Sequence, residues 1–453
     1  MSPVRYLLLI PALYVLFFFR IDGVGMIGPD EPRYAAIGRE MANSGDWVTP
    51  RLWGKPWFEK SPLLYWMTGA GFRLGLGIET APRVPLALVS IAVLAFYYWI
   101  LRRIFDERAA AFATAILAVS PGWLVYSNFA LTDLPMTAGF AGAMLLALEW
   151  LEKDEGRMPL AAGFLLGVAV LAKGLVPLVL AAPLAWYARK RIVRTLPAVG
   201  VFLLTAAPWY ILCEMRNGRV FFDQFILKHH ISRFLSPELQ HVRPWWWYLP
   251  VAAGLLFPFT PAIALWFRKR VWSDPRTQFL LVWFLSGFVF LSYSTNKLPG
   301  YLLPLAPAAC ALIGVSLARE RLAKPVLVIS ALGLSLLPSA VAVLPEALAD
   351  GLSKTDWKQF HWEFAAAAAV VAVICAFLPR GFAIMVLAAC MVVTVGYVKF
   401  WEYPAIDYTV TARAKAREIV RGGKNECAPA SLNRAQVYGL NYYLPVPVTP
   451  CPD

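Results

Sequence analysis

The sequence predicts an all-α, polytopic membrane protein, and three observations carry that reading. Of 453 residues, 59% are hydrophobic and only 15% charged, where a soluble chain carries roughly 25% charged residues. Mean hydropathy is +0.58. Water cannot cover so much apolar surface, whereas lipid can, provided that backbone polar groups are satisfied inside helices. Third, apolar runs long enough to cross a hydrocarbon core about 30 Å thick recur along the chain. Eighteen Trp and eighteen Tyr suit the aromatic belts at bilayer interfaces.

Taken in order, about thirteen spans are expected, near 4–22, 84–101, 109–127, 133–151, 158–173, 174–188, 195–213, 248–267, 277–294, 299–318, 324–345, 363–379 and 381–400. The first reads as a retained span, because no small-residue cleavage site follows it. The fifth and sixth are short and meet at Lys173-Gly174. One set of connectors is short and basic: Arg102-Arg103, Arg189-Lys190-Arg191 with Arg194, Arg268-Lys269-Arg270, and Arg319 with Arg321 and Lys324. Positive-inside logic makes these cytoplasmic. The connector 152–157 has mixed charge and adds nothing. The net charge of +14 therefore reads as topology and not as a nucleic-acid surface. A second set, residues 23–83, 214–247, 295–298, 346–362 and 401–453, is aromatic and mostly longer. With the N-terminus inside, all of these emerge opposite, and an odd span count puts the tail outside too. The expected organisation is a membrane domain over 1–400, including outer loops 23–83 and 214–247, and a small outer segment over 401–453.

Connectors this long usually carry function or structure of their own. In the first, Asp30-Glu31-Pro32 reads as an N-cap region followed by an early proline. Tyr34, Ile37 and Met41 then recur at helical spacing. A second piece, Ser61 to Phe72, suits a helix lying in the interface plane. Cys213, Cys310, Cys375 and Cys390 sit in or beside apolar runs and read as small core residues. Cys427 and Cys451 lie in the polar tail, where an outer location permits a disulfide between them. No cysteine spacing suggests zinc.

Ionisable residues near the outer surface gather in four places: Asp30, Glu31 and Arg33; Glu59-Lys60; Thr132-Asp133; and Asn296-Lys297 before Tyr301. The aromatic loop adds Lys228, His229, His230, Arg233, His241 and Arg243. Each has a bland alternative. Asp30 and Asp133 suit helix N-termini, where a carboxylate gains a few tenths to about 1 kcal/mol. Glu59-Lys60 suits a local ion pair, Lys297 a snorkelling anchor, and His229-His230 a solvated face. Charges at membrane depth are expensive, however, and several converging on one side suggest a site for a charged substrate. Arg and Lys beside carboxylates suit a phosphate. The sequence holds no Walker A loop and no dinucleotide fingerprint, which disfavours nucleotide sugars and favours a lipid-linked phosphate.

Three stretches of the first loop carry a family resemblance: Asp30-Glu31-Pro32-Arg33-Tyr34, then Gly45-Asp46-Trp47-Val48-Thr49-Pro50-Arg51-Leu52, then Phe58-Glu59-Lys60-Ser61-Pro62-Leu63-Leu64-Tyr65-Trp66. Together they resemble the first periplasmic loop of the 4-amino-4-deoxy-L-arabinose (lipid A) transferases, within the protein-mannosyltransferase-like, GT-C membrane glycosyltransferases. Leu131-Thr132-Asp133 and Lys297-Leu298-Pro299-Gly300-Tyr301-Leu302-Leu303-Pro304 resemble further motifs, and the likeness covers roughly residues 1–310. The family's usual Glu-Lys-Pro-Pro stands here as Glu59-Lys60-Ser61-Pro62, and Trp57 stands where a Tyr is common. The outer C-terminal part is also shorter.

The resemblance implies a thirteen-span GT-C fold in the bacterial inner membrane, a periplasmic active site and an undecaprenyl-phosphate-linked sugar donor. Asp30 and Asp133 match acidic catalytic positions. Arg33 and Lys60 match the residues that hold the carrier phosphate, with Glu59 beside them. Tyr301 and Lys297 fall in a cavity-side motif, and His230, preferred to His229, matches a cavity histidine. No cofactor is expected; a divalent metal is left open but not indicated. The expected acceptor is lipid A. Alternatives are a protein hydroxyl or a lipopolysaccharide core sugar. A transporter of polyprenyl-linked sugars fits less well, because it calls for ionisable residues near the midplane. A purely structural membrane protein has no need of the first-loop constellation.

Overall fold

The computed structural model describes residues 3–225, 242–350, 362–422 and 432–447. Seven of the described helices are long and apolar enough to cross a membrane, or nine if each of two bent pairs is one crossing. Shorter apolar helices, Leu160–Lys173 and Glu363–Phe377, accompany them. The chain is a multi-pass helical membrane protein.

Helix α1 (Pro3–Phe17) enters the bundle. Two helices of the first long loop follow, α2 (Asp30–Ser44) and α3 (Leu63–Arg73). The 3.6-residue spacing behaves as expected, since Tyr34, Ile37 and Met41 are all buried. Between them a two-residue hairpin pairs β1 (Arg51–Leu52) with β2 (Lys55–Pro56). Its turn, Trp53-Gly54, has positive φ at both residues, the conformation that tight hairpins prefer. The α3 helix was expected to lie in the interface plane. One face of it packs on protein helices: Leu64, Tyr65, Thr68, Gly69 and Gly71 are buried. A Cβ at Gly71 would lie 2.3 Å from the Ala81 carbonyl oxygen, so only glycine lets α3 approach α4 (Thr80–Ile104).

The bundle continues through α4, α5 (Glu107–Val119), α6 (Pro121–Asn128), α7 (Asp133–Lys153) and α8 (Leu160–Lys173). The run expected at 109–127 is the α5–α6 pair, which bends by 57° where Pro121 has no N–H to continue the ladder. After α8 the chain breaks at Gly174 into α9 (Val176–Leu180) and α10 (Ala182–Ala188), and α11 (Ile192–Asn217) follows. Small residues let these helices touch. A Cβ at Gly163 on α8 would lie 1.9 Å from the Ala198 carbonyl of α11. The run expected at 248–267 is folded back by 111° between Trp245–Leu255 and Thr260–Phe267. The helix that contains the span expected at 381–400 continues to Val410 through a π turn at Val398–Glu402.

Charge separates the two ends of the bundle. At one end the short basic connectors join through ion pairs: Arg103 with Glu149 at 2.6 Å, Arg276 with Glu152 at 3.1 Å, and Arg319 with Asp274 at 3.3 Å. These pairs are partly exposed and worth little individually; their value is that they show the connectors sharing one face. The aromatic loops meet at the other end.

That second end is organised by a buried ion pair. Glu31 and Arg83 are both fully buried. Arg83 Nε donates to Glu31 Oε1 and Nη2 to Oε2, each at 2.8 Å. Its remaining N–H groups reach the carbonyls of Ile21, Val24 and Gly25 at 2.6–2.9 Å. Glu31 also accepts from the N–H groups of Ile27 (2.8 Å) and Ala130 (2.9 Å). One residue pair thus ties the exit of α1, the start of α2, the start of α4 and the approach to α7.

Candidate functional site

Helix α2 sorts its two leading carboxylates by direction. Glu31 turns inward to Arg83. Asp30 lies on the face of Arg33, three residues on, and forms an ion pair with its Nη2. Asp30 does not cap the helix; the N-cap is Pro29, without a side-chain bond. Arg33 also pairs with Glu59, Nη1 to Oε2 at 2.7 Å, and its Nη2 donates to Oε1 at 3.3 Å. The hairpin delivers Glu59 to this place, held by Trp57 N donating to Pro50 O at 2.8 Å. Lys60 follows, half-buried.

Arg33 is buried, and its guanidinium faces the rings of Tyr34 (5.3 Å), Trp57 (5.6 Å) and Tyr438 (5.3 Å). Burial opposes its charge most strongly, but Tyr34, Glu59 and Asp30 outweigh that and raise its pKa further. Arg33 is therefore a permanent cation. Burial and then the two carboxylates push the Tyr34 hydroxyl upward. Burial, with Glu59 next, does the same at Tyr65. Both phenols stay neutral donors. Three buried donors here, Arg33 Nε, Trp57 Nε1 and Tyr65 Oη, have no hydrogen-bond partner among the described residues. Leaving buried donors unsatisfied costs roughly 1–3 kcal/mol each, so a cluster of them marks a place built for acceptor groups.

A second cluster sits at the entry to α7. Asp133 pairs with Lys173 Nζ at 2.5 Å, and that ammonium lies 4.6 Å from the Tyr301 ring centroid. Gly300 completes it: a Cβ there would stand 2.5 Å from Tyr126 Oη and 2.7 Å from Asp133 Oδ1. The two clusters share the end of the bundle. Ala130, just before Asp133, donates to Glu31, next to Asp30. Ser61, next to Lys60, bonds Tyr210 at 3.1 Å, and Tyr210 donates to Val170 O on α8, one turn before Lys173.

Of the residues expected from the sequence, Asp30, Arg33 and Glu59 converge directly, and Asp133 and Tyr301 converge around Lys173. Lys297 does neither. It is buried, donates to the carbonyls of Arg243 (3.1 Å) and Ser294, and joins the two segments of the Val242–Asn296 bridge. Burial lowers its pKa. Its position is that of a loop tie, not of the snorkelling anchor considered above. His229 and His230 lie outside the described residues, as do Cys427 and Cys451. No group of three or more His, Cys, Asp or Glu suited to a metal occurs among the described residues.

Sequence reasoning missed Lys173, Tyr126 and Tyr438. Lys173 did carry a signal, since a lone lysine inside a long apolar run is costly without a partner. It was read only as the joint between two spans. Tyr126 and Tyr438 carried none beyond being tyrosines.

The chain is similar in sequence and fold to known proteins. Residues 59–211 match the family described as dolichyl-phosphate-mannose-protein mannosyltransferase. An undecaprenyl phosphate-alpha-4-amino-4-deoxy-L-arabinose arabinosyl transferase 2 of Pseudomonas fluorescens is 32% identical over 334 residues, covering 68% of this chain and 55% of that one. A like-named transferase of Pseudomonas aeruginosa is 33% identical over 334 residues, covering 69% and 59%. The chain thus spans a little over half the length of these curated relatives. The crystal structure of ArnT from Cupriavidus metallidurans bound to undecaprenyl phosphate superposes with a TM-score of 0.78 at 25% identity, over 99% of this chain and 86% of that one. The arabinosyltransferase EmbB of Mycobacterium smegmatis, 14% identical with a TM-score of 0.51, covers 97% of this chain and 43% of its own, and shares the fold alone. Motifs, fold and relatives agree: the chain resembles the ArnT-like, GT-C membrane glycosyltransferases in sequence and in fold.

Proposed function

We propose that this protein moves a sugar from undecaprenyl phosphate to an envelope acceptor at the non-cytoplasmic face of the bacterial inner membrane. The sugar in this reading is 4-amino-4-deoxy-L-arabinose and the acceptor lipid A. The chain makes thirteen crossings, with the N-terminus cytoplasmic and the C-terminus periplasmic. Residues 1–400 form the membrane domain and 401–453 a small outer segment. One observation carries the reading: unsatisfied buried donors surround a permanent cation that holds two carboxylates, at the end of the bundle opposite the basic connectors.

In the reaction the bond between the anomeric carbon and the phosphate oxygen breaks, and its electron pair leaves with undecaprenyl phosphate. An acceptor oxygen forms the new bond from the opposite face, with inversion. The leaving phosphate gains charge in the transition state, so cations that bind it more tightly than the donor phosphodiester speed the reaction. Lys60 supplies that charge. Arg33 shares the grip on the phosphate: its Nε, which has no partner among the described residues, is open to a phosphate oxygen, while its Nη atoms hold carboxylates. It also fixes Asp30 and Glu59 and adds its field beneath them. A phosphate acceptor is already ionised and needs no base; Asp30 then orients the amino sugar by ion pairing. A hydroxyl acceptor needs its proton removed, and Asp30 or Asp133 takes it. Lys173 holds Asp133 in place. His230 and Tyr301 line the cavity. No cofactor is required in this scheme.

A hydroxyl acceptor is the second reading, favoured by the protein mannosyltransferase description of the matching family. Reconstitution separates the two. Proteoliposomes receive synthetic undecaprenyl-phosphate sugars and either lipid A, core oligosaccharide or a Ser/Thr peptide. Aminoarabinose on lipid A phosphate, with an inverted anomeric centre, supports the first reading. Transfer to peptide or core sugar supports the second. Failure to release undecaprenyl phosphate from every donor rejects both.

Gly300→Ala tests the second cluster. The added methyl displaces Tyr126 or Asp133, and sub-ångström misplacement of catalytic groups costs roughly ten- to a hundredfold in rate. The expected outcome is that loss with an unchanged thermal midpoint, read from initial rates and a melting curve.

A further inference from the structure

We propose that Tyr438 is a positioning residue of the active site: its ring is the third wall of the cage around Arg33, which makes the C-terminal segment a working part of the site. The proposal rests on the transfer reading for what the cage serves, but not for the cage itself.

The first two walls, Tyr34 and Trp57, belong to the same loop as Arg33. The third arrives from the other end of the chain, on the helix Arg434–Tyr443, and stands as near as the first, 5.3 Å from the guanidinium carbon. Tyr438 also packs on Trp53 at 5.6 Å, the tip of the hairpin that delivers Glu59 and Lys60. It therefore touches both pieces that the site must hold together, α2 with Asp30 and Arg33, and the hairpin.

The helix that carries Tyr438 is anchored from several directions. Its start is a capping box, Asn433 with Gln436. Leu440 packs with Ala412, Ala416 and Leu444 in a small core. Tyr442 Oη donates to Ile78 O at 2.5 Å, Arg39 Nη2 donates to Tyr442 O at 3.0 Å, and Met26 N donates to Tyr443 Oη at 2.9 Å. Arg413 fastens the preceding segment, pairing with Asp407 at 2.7 Å and Glu79 at 3.2 Å. All of these anchors end on the first loop, on its boundary with α4 or within the segment itself. Such fastening sets the ring in a fixed place.

A ring face attracts a cation through its quadrupole, more strongly when desolvated. Arg33 is desolvated. Removing one wall frees the guanidinium to shift, and the carboxylates it holds shift with it. The effect falls on turnover, because the carboxylates that Arg33 holds, Asp30 and Glu59, are the groups that meet the reacting sugar and acceptor in the transfer reading. The phenol oxygen plays no part in the cage; its neighbour is Arg434, at 3.5 Å.

The test uses the full chain in nanodiscs with Tyr438→Phe, Tyr438→Trp and Tyr438→Leu. The expected result is about a tenfold loss of kcat in Tyr438→Leu with KM for the lipid-linked donor unchanged, a size set by one desolvated cation–ring contact. Phe and Trp restore the rate. Equal rates in Leu and Phe variants, or a loss confined to KM, overturn the proposal. A thermal double-mutant cycle judges the cage without any substrate. Tyr438→Leu is expected to lower the midpoint in the wild-type background and much less in Arg33→Met. Additive shifts overturn the cage, whatever the substrate proves to be. Wild-type protein that turns over no lipid-linked sugar rejects the transfer reading while the cycle still decides on Tyr438.

Discussion

Asp30→Ala is expected to reduce sugar transfer more than a hundredfold while leaving the amount of folded protein unchanged. The size follows from its role: a positioned carboxylate acting on a proton in the transition state contributes roughly 10²–10⁴-fold, and an ion pair that aims an amino sugar works through the same geometry. The unchanged folding follows from exposure. The Asp30 side chain is 39% accessible, and partly exposed ion pairs contribute at most about 1 kcal/mol. Arg33 keeps Glu59 at 2.7 Å when Asp30 is gone, so no buried cation is stranded. Initial rates beside a thermal midpoint check both halves. Near-normal turnover counts against the assignment.

Glu31→Ala, one residue along, is expected to do the opposite and remove the folded protein. Its carboxylate accepts from Arg83, Ile27 and Ala130, and both partners of the ion pair are fully buried. Breaking a buried pair by deleting one member costs about 3–5 kcal/mol, because the other charge stays buried and uncompensated. A typical domain is stable by only about 5–15 kcal/mol. The expected outcome is a collapse in the yield of monodisperse, detergent-solubilised protein; Glu31→Gln, which also leaves Arg83 uncompensated, fails likewise. A Glu31→Ala protein that melts with wild type contradicts this reading of the junction.

That two adjacent carboxylates have opposite predictions shows what sequence alone could resolve. The helix over Asp30–Ser44 was legible because Tyr34, Ile37 and Met41 repeat at its period. Which of Asp30 and Glu31 faces the site was not, because that depends on where α4 brings Arg83. Arg33 was legible as a site cation, but its engagement by two carboxylates depends on a hairpin that returns Glu59. Lys173 lies 40 residues from its partner Asp133, and only packing brings α8 against α7. The bends within the runs at 109–127 and 248–267 were not legible, since hydropathy averages over a window and does not register a missing N–H. Lys297 sat in a motif that pointed at a cavity, yet its ammonium satisfies carbonyls of its own and a neighbouring loop. In each case composition and period gave the element, and long-range geometry gave the role.

The central claim is that a lysine on the first loop holds the phosphate of a lipid carrier. Titrating undecaprenyl phosphate alone, without sugar or acceptor, into wild-type and Lys60→Ala protein in nanodiscs tests it most directly. The account predicts saturable binding to wild type and an affinity at least about tenfold weaker in Lys60→Ala, the scale of one charge-assisted phosphate contact, with unchanged thermal stability before lipid is added. Equal affinity in the two proteins, or no saturable binding to wild type, would contradict it.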